Sequence, residues 1–185
     1  MLRVLLALVL LAAPPAAAQE ASIRTEADGS RTLVAEVEVP APPAEVWAAI
    51  ATAEGWKSWA VPVAWAPDAD TIETSYSPAA APGDPTTIRQ RILAREPGRM
   101  LRFVTVKAPE AFPDFETYAK VIATFELEAL EGGTRVRLTQ AGYPPTEAGT
   151  RLLGFFARGN QASLAALRDR FVRGPVDWAA RGVTK

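Results

Sequence analysis

The sequence contains no cysteine and no histidine. Without cysteine there is no disulfide, no thiolate nucleophile and no thioether-linked lipid anchor, so the fold depends on buried apolar surface. Without histidine there is no imidazole base, no Ser-His-Asp relay, no zinc site of the usual Cys/His kind and no Rieske cluster. Acid-base chemistry would fall to Asp, Glu, Tyr or Lys with a displaced pKa. A surplus of charge is also missing. The formal net charge is −1, which gives no field to hold a phosphate backbone, so no nucleic-acid partner is expected. No cofactor or metal is expected either.

A long apolar run occurs only at the start. Arg3 precedes an uninterrupted stretch from Val4 to Ala13, followed by Pro14-Pro15 and the small residues Ala16-Ala17-Ala18. This order predicts a secretory signal peptide over residues 1–18. The run is about half the length needed to span a bilayer, so no stable membrane anchor is expected after cleavage, and the protein should be periplasmic or secreted. What remains suits one domain, and the full sequence, 49% hydrophobic and 22% charged, has an ordinary globular balance.

Residues Gln19 to Ser30 are polar and unpatterned and read as a mobile lead-in. From Arg31, the alternation of Leu33, Ala35, Val37 and Val39 with Val34, Glu36 and Glu38 predicts a strand with one wet face. Pro42-Pro43 and Glu45 open a helix with Val46, Trp47 and Ile50 at helical spacing, closed by Gly55. A run of strands follows: Val61 to Trp65, Thr71 to Tyr76, Thr86 to Arg95, Met100 to Lys107, Tyr118 to Leu130 and Thr134 to Gly142. Pro97-Gly98 and Glu131-Gly132-Gly133 mark hairpins. Thr146 caps a closing helix to about Arg173 with Leu152, Phe155, Phe156, Leu164, Leu167 and Phe171 as its apolar face, and Gly174-Pro175 stops it. The fold class expected is α+β, a curved antiparallel sheet wrapped around a long C-terminal helix. One domain over 31–174 and a surface tail over 175–185 complete the division.

Two stretches resemble the START-like, or SRPBCC, helix-grip superfamily. One is Val39-Pro40-Ala41-Pro42-Pro43-Ala44-Glu45-Val46-Trp47 with Gly55 and Trp59 after it; the other is the helix from Gly159-Asn160-Gln161 to Phe171. Within that superfamily the sequence is most similar to relatives of the heat-shock chaperone ATPase activator. The resemblance implies a deep cavity between sheet and closing helix, used by members for lipids, sterols, polyketides and aromatic metabolites. It does not imply one chemistry. The ring-hydroxylating branch needs histidine ligands that this chain lacks.

Candidate ligand-binding residues are the aromatics around that space, Trp56, Trp59, Trp65, Phe103, Phe112, Phe115, Tyr118 and Phe156. Core packing explains an aromatic stripe equally well. Phe112 and Phe115 stand apart, because a solvated loop seldom carries two phenylalanines with nothing to cover, and they are the lid candidates. Arg89, Arg91 and Arg95 share one strand face; a register one residue different would aim Arg91 inward at a ligand carboxylate. Gln140 alternates onto the inner face, where a buried amide needs partners. Gly149, Gly154 and Gly159 punctuate the closing helix, either bending it over the sheet or leaving room for a ligand. The function expected is an exported carrier or sensor of an apolar small molecule. A polyketide cyclase-like enzyme and a ligand-free protein-interaction module are the alternatives. Export makes a direct check possible: the mature chain should begin at Gln19, and N-terminal sequencing of extracytoplasmic material that returned Met1 would refute it.

Overall fold

The computed structural model describes residues 21–183. The signal peptide expected over 1–18 lies outside them. An eight-stranded antiparallel sheet runs in the order β1-β2-β8-β7-β6-β5-β4-β3. Its strands are β1 (Ser22–Thr25), β2 (Arg31–Val39), β3 (Val63–Asp68), β4 (Thr71–Ser75), β5 (Ile88–Glu96), β6 (Met100–Lys107), β7 (Ile122–Leu130) and β8 (Gly133–Tyr143). Helices α1 (Pro43–Ala51) and α2 (Ala53–Lys57) follow β2, the single turn α3 (Phe115–Tyr118) precedes β7, and α4 (Glu147–Arg173) closes the chain against the sheet. This is the α+β helix-grip architecture.

Local chemistry accounts for the boundaries. Pro42 and Pro43 start α1 where missing N–H groups cost nothing. Thr52 ends it and caps α2, its hydroxyl accepting from the Gly55 N–H at 2.9 Å and donating to the Ala48 carbonyl at 2.8 Å. The carbonyls left open at the end of α1 are taken by indoles: Trp56 Nε1 donates to the Ile50 oxygen at 2.7 Å and Trp59 Nε1 to the Ala49 oxygen at 3.0 Å. Gly132, at φ +82°, makes the β7-β8 turn. Thr146 caps α4 by accepting from the Gly149 N–H at 3.2 Å.

Four expectations need revision. The lead-in is partly a strand, because Ser22–Thr25 pairs with Arg31–Val34 as β1; its residues are all exposed, so hydrogen bonding and not burial forms it. Gly55 lies inside α2 and does not close α1; a Cβ there would fall 2.1 Å from the Ala48 oxygen, so glycine lets the two helices touch. Tyr118 belongs to α3, and β7 begins only at Ile122. The tail is docked in part, with the Val176 N–H on the Ser58 oxygen at 2.9 Å and Trp178 Nε1 on the Lys57 oxygen at 2.7 Å.

The apolar core has two bodies. The larger joins α1, the inner face of the sheet, Trp59, Leu164 and Leu167; the smaller gathers Leu33, Val121, Tyr143, Leu152 and Leu153, with Phe112, Tyr118 and Phe156 against it. Val121, Ala123, Phe125 and Leu127 are buried with Val136 and Leu138, while Arg135 pairs with Glu128 and Glu38 on the outer face. Phe155, assigned to the apolar face of α4, is 56% exposed. The helix glycines divide by environment: a Cβ at Gly149 would lie 2.2 Å from the Pro144 oxygen, whereas one at Gly154 or Gly159 would meet nothing within 4 Å. Close packing therefore explains only Gly149. Gly55→Ala should destabilise the fold by about 2 kcal/mol or more, and Gly154→Ala should stabilise it by up to about 1 kcal/mol through helix propensity. Urea unfolding of the two variants checks both signs.

Candidate functional site

The site is built on one row of cross-strand partners. Leu33, Gln140, Ala123, Phe103 and Ile92 lie side by side on β2, β8, β7, β6 and β5. All are buried, so the row runs across the inner face, and Gln140 is its polar member. Its amide oxygen accepts from Tyr143 Oη at 2.7 Å and from Asn160 Nδ2 on α4 at 2.8 Å. Its Nε2 donates to Tyr118 Oη at 3.4 Å. Asn160 is 5% exposed and Thr105 on β6, beside the Tyr118 hydroxyl, 4%. Along α4 this layer separates Leu153 and Phe156 from Leu164 and Leu167, which is why the core divides there.

Burial dominates the chemistry of the two phenols. It pushes the Tyr118 hydroxyl up to about 12, against the pull of Thr105 and Gln140, and pushes Tyr143 up as well. Both remain neutral donors and acceptors at physiological pH. Tyr76 shows 71% of its surface to solvent, and burial of its hydroxyl end raises its pKa.

Aromatic rings enclose one side. Tyr118 stacks on Phe156 with centroids 4.4 Å apart and planes 14° from parallel; Phe112 meets Tyr118 at 5.3 Å and Phe156 at 6.3 Å; Phe155 stands edge-on to Phe156 at 5.1 Å. None of these rings is fully buried. The segment that brings Phe112 and Tyr118 here is clamped to α4, since Arg151 reaches both carboxylate oxygens of Asp114, at 3.2 Å and 3.1 Å. Asp114 takes the left-handed conformation, φ 55°, which is uncommon outside glycine and lets the chain turn into α3.

The structure therefore brings Phe112, Tyr118, Gln140 and Phe156 together. It places Phe103 two strands from Gln140 on the same row. Phe115 opens α3, half-buried and outside the ring cluster. Trp56 and Trp59 are spent capping α1, and Trp65 sits opposite Glu73 on the edge strand β3. Arg91 is exposed, opposite Thr71 and Val104; the strand keeps the register in which it faces outward, so it offers no inward cation. Asn160 and Tyr143 belong to the site through their bonds to Gln140, although neither was among the candidates read from the sequence. For Asn160 a signal existed, because it falls four residues from both Phe156 and Leu164, an amide inside an apolar stripe.

A second buried polar group lies across the sheet. Glu73 is 0% exposed and accepts from the Gly83 N–H at 2.9 Å, Thr87 Oγ1 at 2.5 Å and Arg89 at 3.1 Å. Lys107 stands 3.9 Å away and donates to the Gly83 and Asp84 carbonyls. These contacts fix the loop from Tyr76 to Thr87. On the outer face, an open groove of about 460 Å³ is lined by Glu96, Arg99, Arg102, Glu126, Arg135 and Arg137 among others, many of them paired with one another. Its mixed charge marks a solvated surface. Among the described residues no Asp and Glu cluster is arranged to hold a metal ion, and no helix is long and apolar enough to cross a membrane.

Sheet, closing helix and enclosed polar layer together define a START-like, helix-grip domain. Residues 30–172 match the family described as polyketide cyclase / dehydrase and lipid transport, and the chain belongs to that family. Among solved structures it is similar to CalU16 from Micromonospora echinospora, with 21% identity, 91% of each chain covered and a TM-score of 0.59. It is also similar to the Aha1 dimer from Colwellia psychrerythraea, with 18% identity, 77% of this chain and 97% of that chain covered, and a TM-score of 0.59. DynU16, a protein of the dynemicin biosynthetic locus, aligns at 18% identity and TM-score 0.58 over 78% of this chain and 48% of its own. At these identities the likeness is one of fold. No curated protein matches.

The Glu73 cluster gives a pH test. Burial raises the Glu73 pKa, but the Thr87, Gly83 and Arg89 hydrogen bonds outweigh it and hold the carboxyl below its ordinary value of 4.5. A lowered folded-state pKa means that the ionised group contributes stability above about pH 4.5, lost as pH falls through the folded value. Glu73→Gln should cost about 1 to 3 kcal/mol at pH 7 and flatten the loss of stability below pH 4.5. Urea titrations between pH 3 and pH 7 measure both.

Proposed function

We propose that the chain is an exported binding protein, a carrier or sensor, for an apolar small molecule held between the inner face of the sheet and α4. The observation that carries this reading is the set formed by Phe112, Tyr118, Phe155 and Phe156. The rings touch one another, none is fully buried, and they border a layer of buried amides and phenols. A folded domain does not leave a contiguous aromatic set partly open without something to cover it, and apolar walls with few converging polar groups are what small-molecule sites are made of. The family description, which includes lipid transport, agrees with this reading.

The same description includes cyclases, and a cyclase could work by cavity shape alone. The groups at the layer favour binding over turnover. Tyr118 is pushed to about 12 and Tyr143 is also raised, so neither phenol is poised to exchange a proton near neutral pH.

Covering about 300 Å² of apolar ligand surface contributes roughly 7 kcal/mol before the cost of association, which sets the expected affinity in the micromolar range. The fluorescent amine N-phenyl-1-naphthylamine, neutral and apolar, should bind saturably in that range. Because Phe155 is 56% exposed, Phe155→Ala should weaken binding about threefold to tenfold while the melting temperature barely moves. Absence of saturable binding, or binding unchanged in Phe155→Ala and Phe156→Ala alike, would overturn the proposal.

A further inference from the structure

We propose that the outer face of β5, β6 and β7 is a docking surface for an anionic lipid membrane, engaged peripherally and reversibly. The proposal stands apart from the ligand reading above, because this face is turned away from α4. Alternation decides which residues it carries. Ile92, Phe103 and Ala123 point into the core, so their neighbours Arg91, Leu93, Arg102, Val104 and Ile122 point outward. Val106 follows Thr105, which is bonded to the Tyr118 hydroxyl on the inner side, and is outward too. These apolar residues adjoin one another. Val104 pairs with Ile122 across β6 and β7, and Leu93 and Val106 are the extra residues of two bulges in the pairing of β5 with β6, a device that re-aims side chains. Leu93 is 45% exposed, Ile122 39% and Val106 37%, while Val104 is buried although it belongs to neither core body. Its cover therefore comes from this outer cluster.

Charge separates this half of the outer face from the rest. Beside it the arginines have acidic partners: Arg135 pairs with Glu38 and Glu128, Arg137 with Glu36 and Arg99 with Glu96. Arg91 and Arg102 are exposed, and their cross-strand partners are Thr71, Val104, Ala94 and Thr124, none of them acidic. Glu73 cannot serve them, since it is enclosed with Arg89 and Lys107, and Glu126 stands opposite Arg137. Lys120, exposed two residues before Ile122, adds a third cation. In a chain of net charge −1, three cations around an aliphatic centre are a local feature. They exclude a second copy seated face to face, because like charges would meet. The cluster also has no aromatic anchor of the kind that fills a pocket on a protein partner. Short aliphatic side chains ringed by cations suit a bilayer surface: Arg91, Arg102 and Lys120 meet headgroup phosphates while Leu93, Val106 and Ile122 enter the boundary with the acyl chains.

The test is co-sedimentation of the full chain with vesicles of phosphatidylcholine alone or with about 30% phosphatidylglycerol. We expect binding at least about tenfold tighter to the anionic vesicles, falling about tenfold when salt is raised to about 0.5 M. Arg91→Glu with Arg102→Glu should abolish the preference, and Leu93→Ser with Ile122→Ser should weaken binding about fivefold. Arg158→Glu with Arg168→Glu, the same charge change on α4, should leave it within about twofold. All variants keep the apolar run Val4 to Ala13, so whatever that run contributes is common to them. If the glutamate variant of the sheet fails to fold, Arg91→Gln with Arg102→Gln decides in its place. Equal binding to both vesicles, a preference that survives loss of Arg91 and Arg102, binding unchanged by the serine pair, or an equal loss in the α4 control would overturn the proposal. Binding to soluble poly-L-glutamate without binding to anionic vesicles would overturn it as well, and would assign the face to an acidic protein.

Discussion

The amide oxygen of Gln140 is where the parts of this domain are joined. It receives the Tyr143 hydroxyl from the end of its own strand and the Asn160 amide from the closing helix, so one atom fixes β8 and α4 relative to each other. Apolar packing alone is non-directional and would tolerate a helix slid or rotated on the sheet. A buried hydrogen-bonded layer is not so tolerant, because displacement leaves several groups unpaired in a low-dielectric interior. The division of the core into two apolar bodies follows from that layer.

The irregular segments obey the same rule. The chain around α3 would be an arbitrary excursion from the sheet, but Arg151 holds Asp114 by both carboxylate oxygens and Tyr118 returns to Gln140. The loop after β4 is held by a carboxylate with no solvent exposure at all. In both places a charged or polar side chain fixes chain that has too little apolar surface to fix itself.

What could be read from the sequence follows from periodicity and local capping. The alternation in β2, β7 and β8, the Gly132 turn and the Thr146 cap are all local signals, and the architecture followed from them. Gln140 was reachable too, by counting alternate residues from Val136. β1 was not, since its residues are exposed and it exists only by pairing with β2. Nor were Glu73 and the partners of Asn160, whose meaning depends on residues brought from distant elements. Trp59 was misleading for a related reason: an aromatic that looked like a ligand wall spends its polar edge finishing a helix. Arg91 depended on register, which the pairing of β4, β5 and β6 alone could decide.

The pairing of β2 with β8, from Arg31 opposite Tyr143 to Val39 opposite Thr134, has a kinetic consequence. The strand made early in synthesis can find its central partner only when most of the chain has emerged, and α4, which covers that pair, comes later still. Contacts this distant in sequence carry a large loop-closure entropy and slow the folding step that depends on them. Until then β2 and its neighbours present open edges, so a holdase acting on the nascent chain has its longest opportunity here. A topology that closes through an early strand and a late helix thus delays commitment to the folded state until nearly the whole domain has been made.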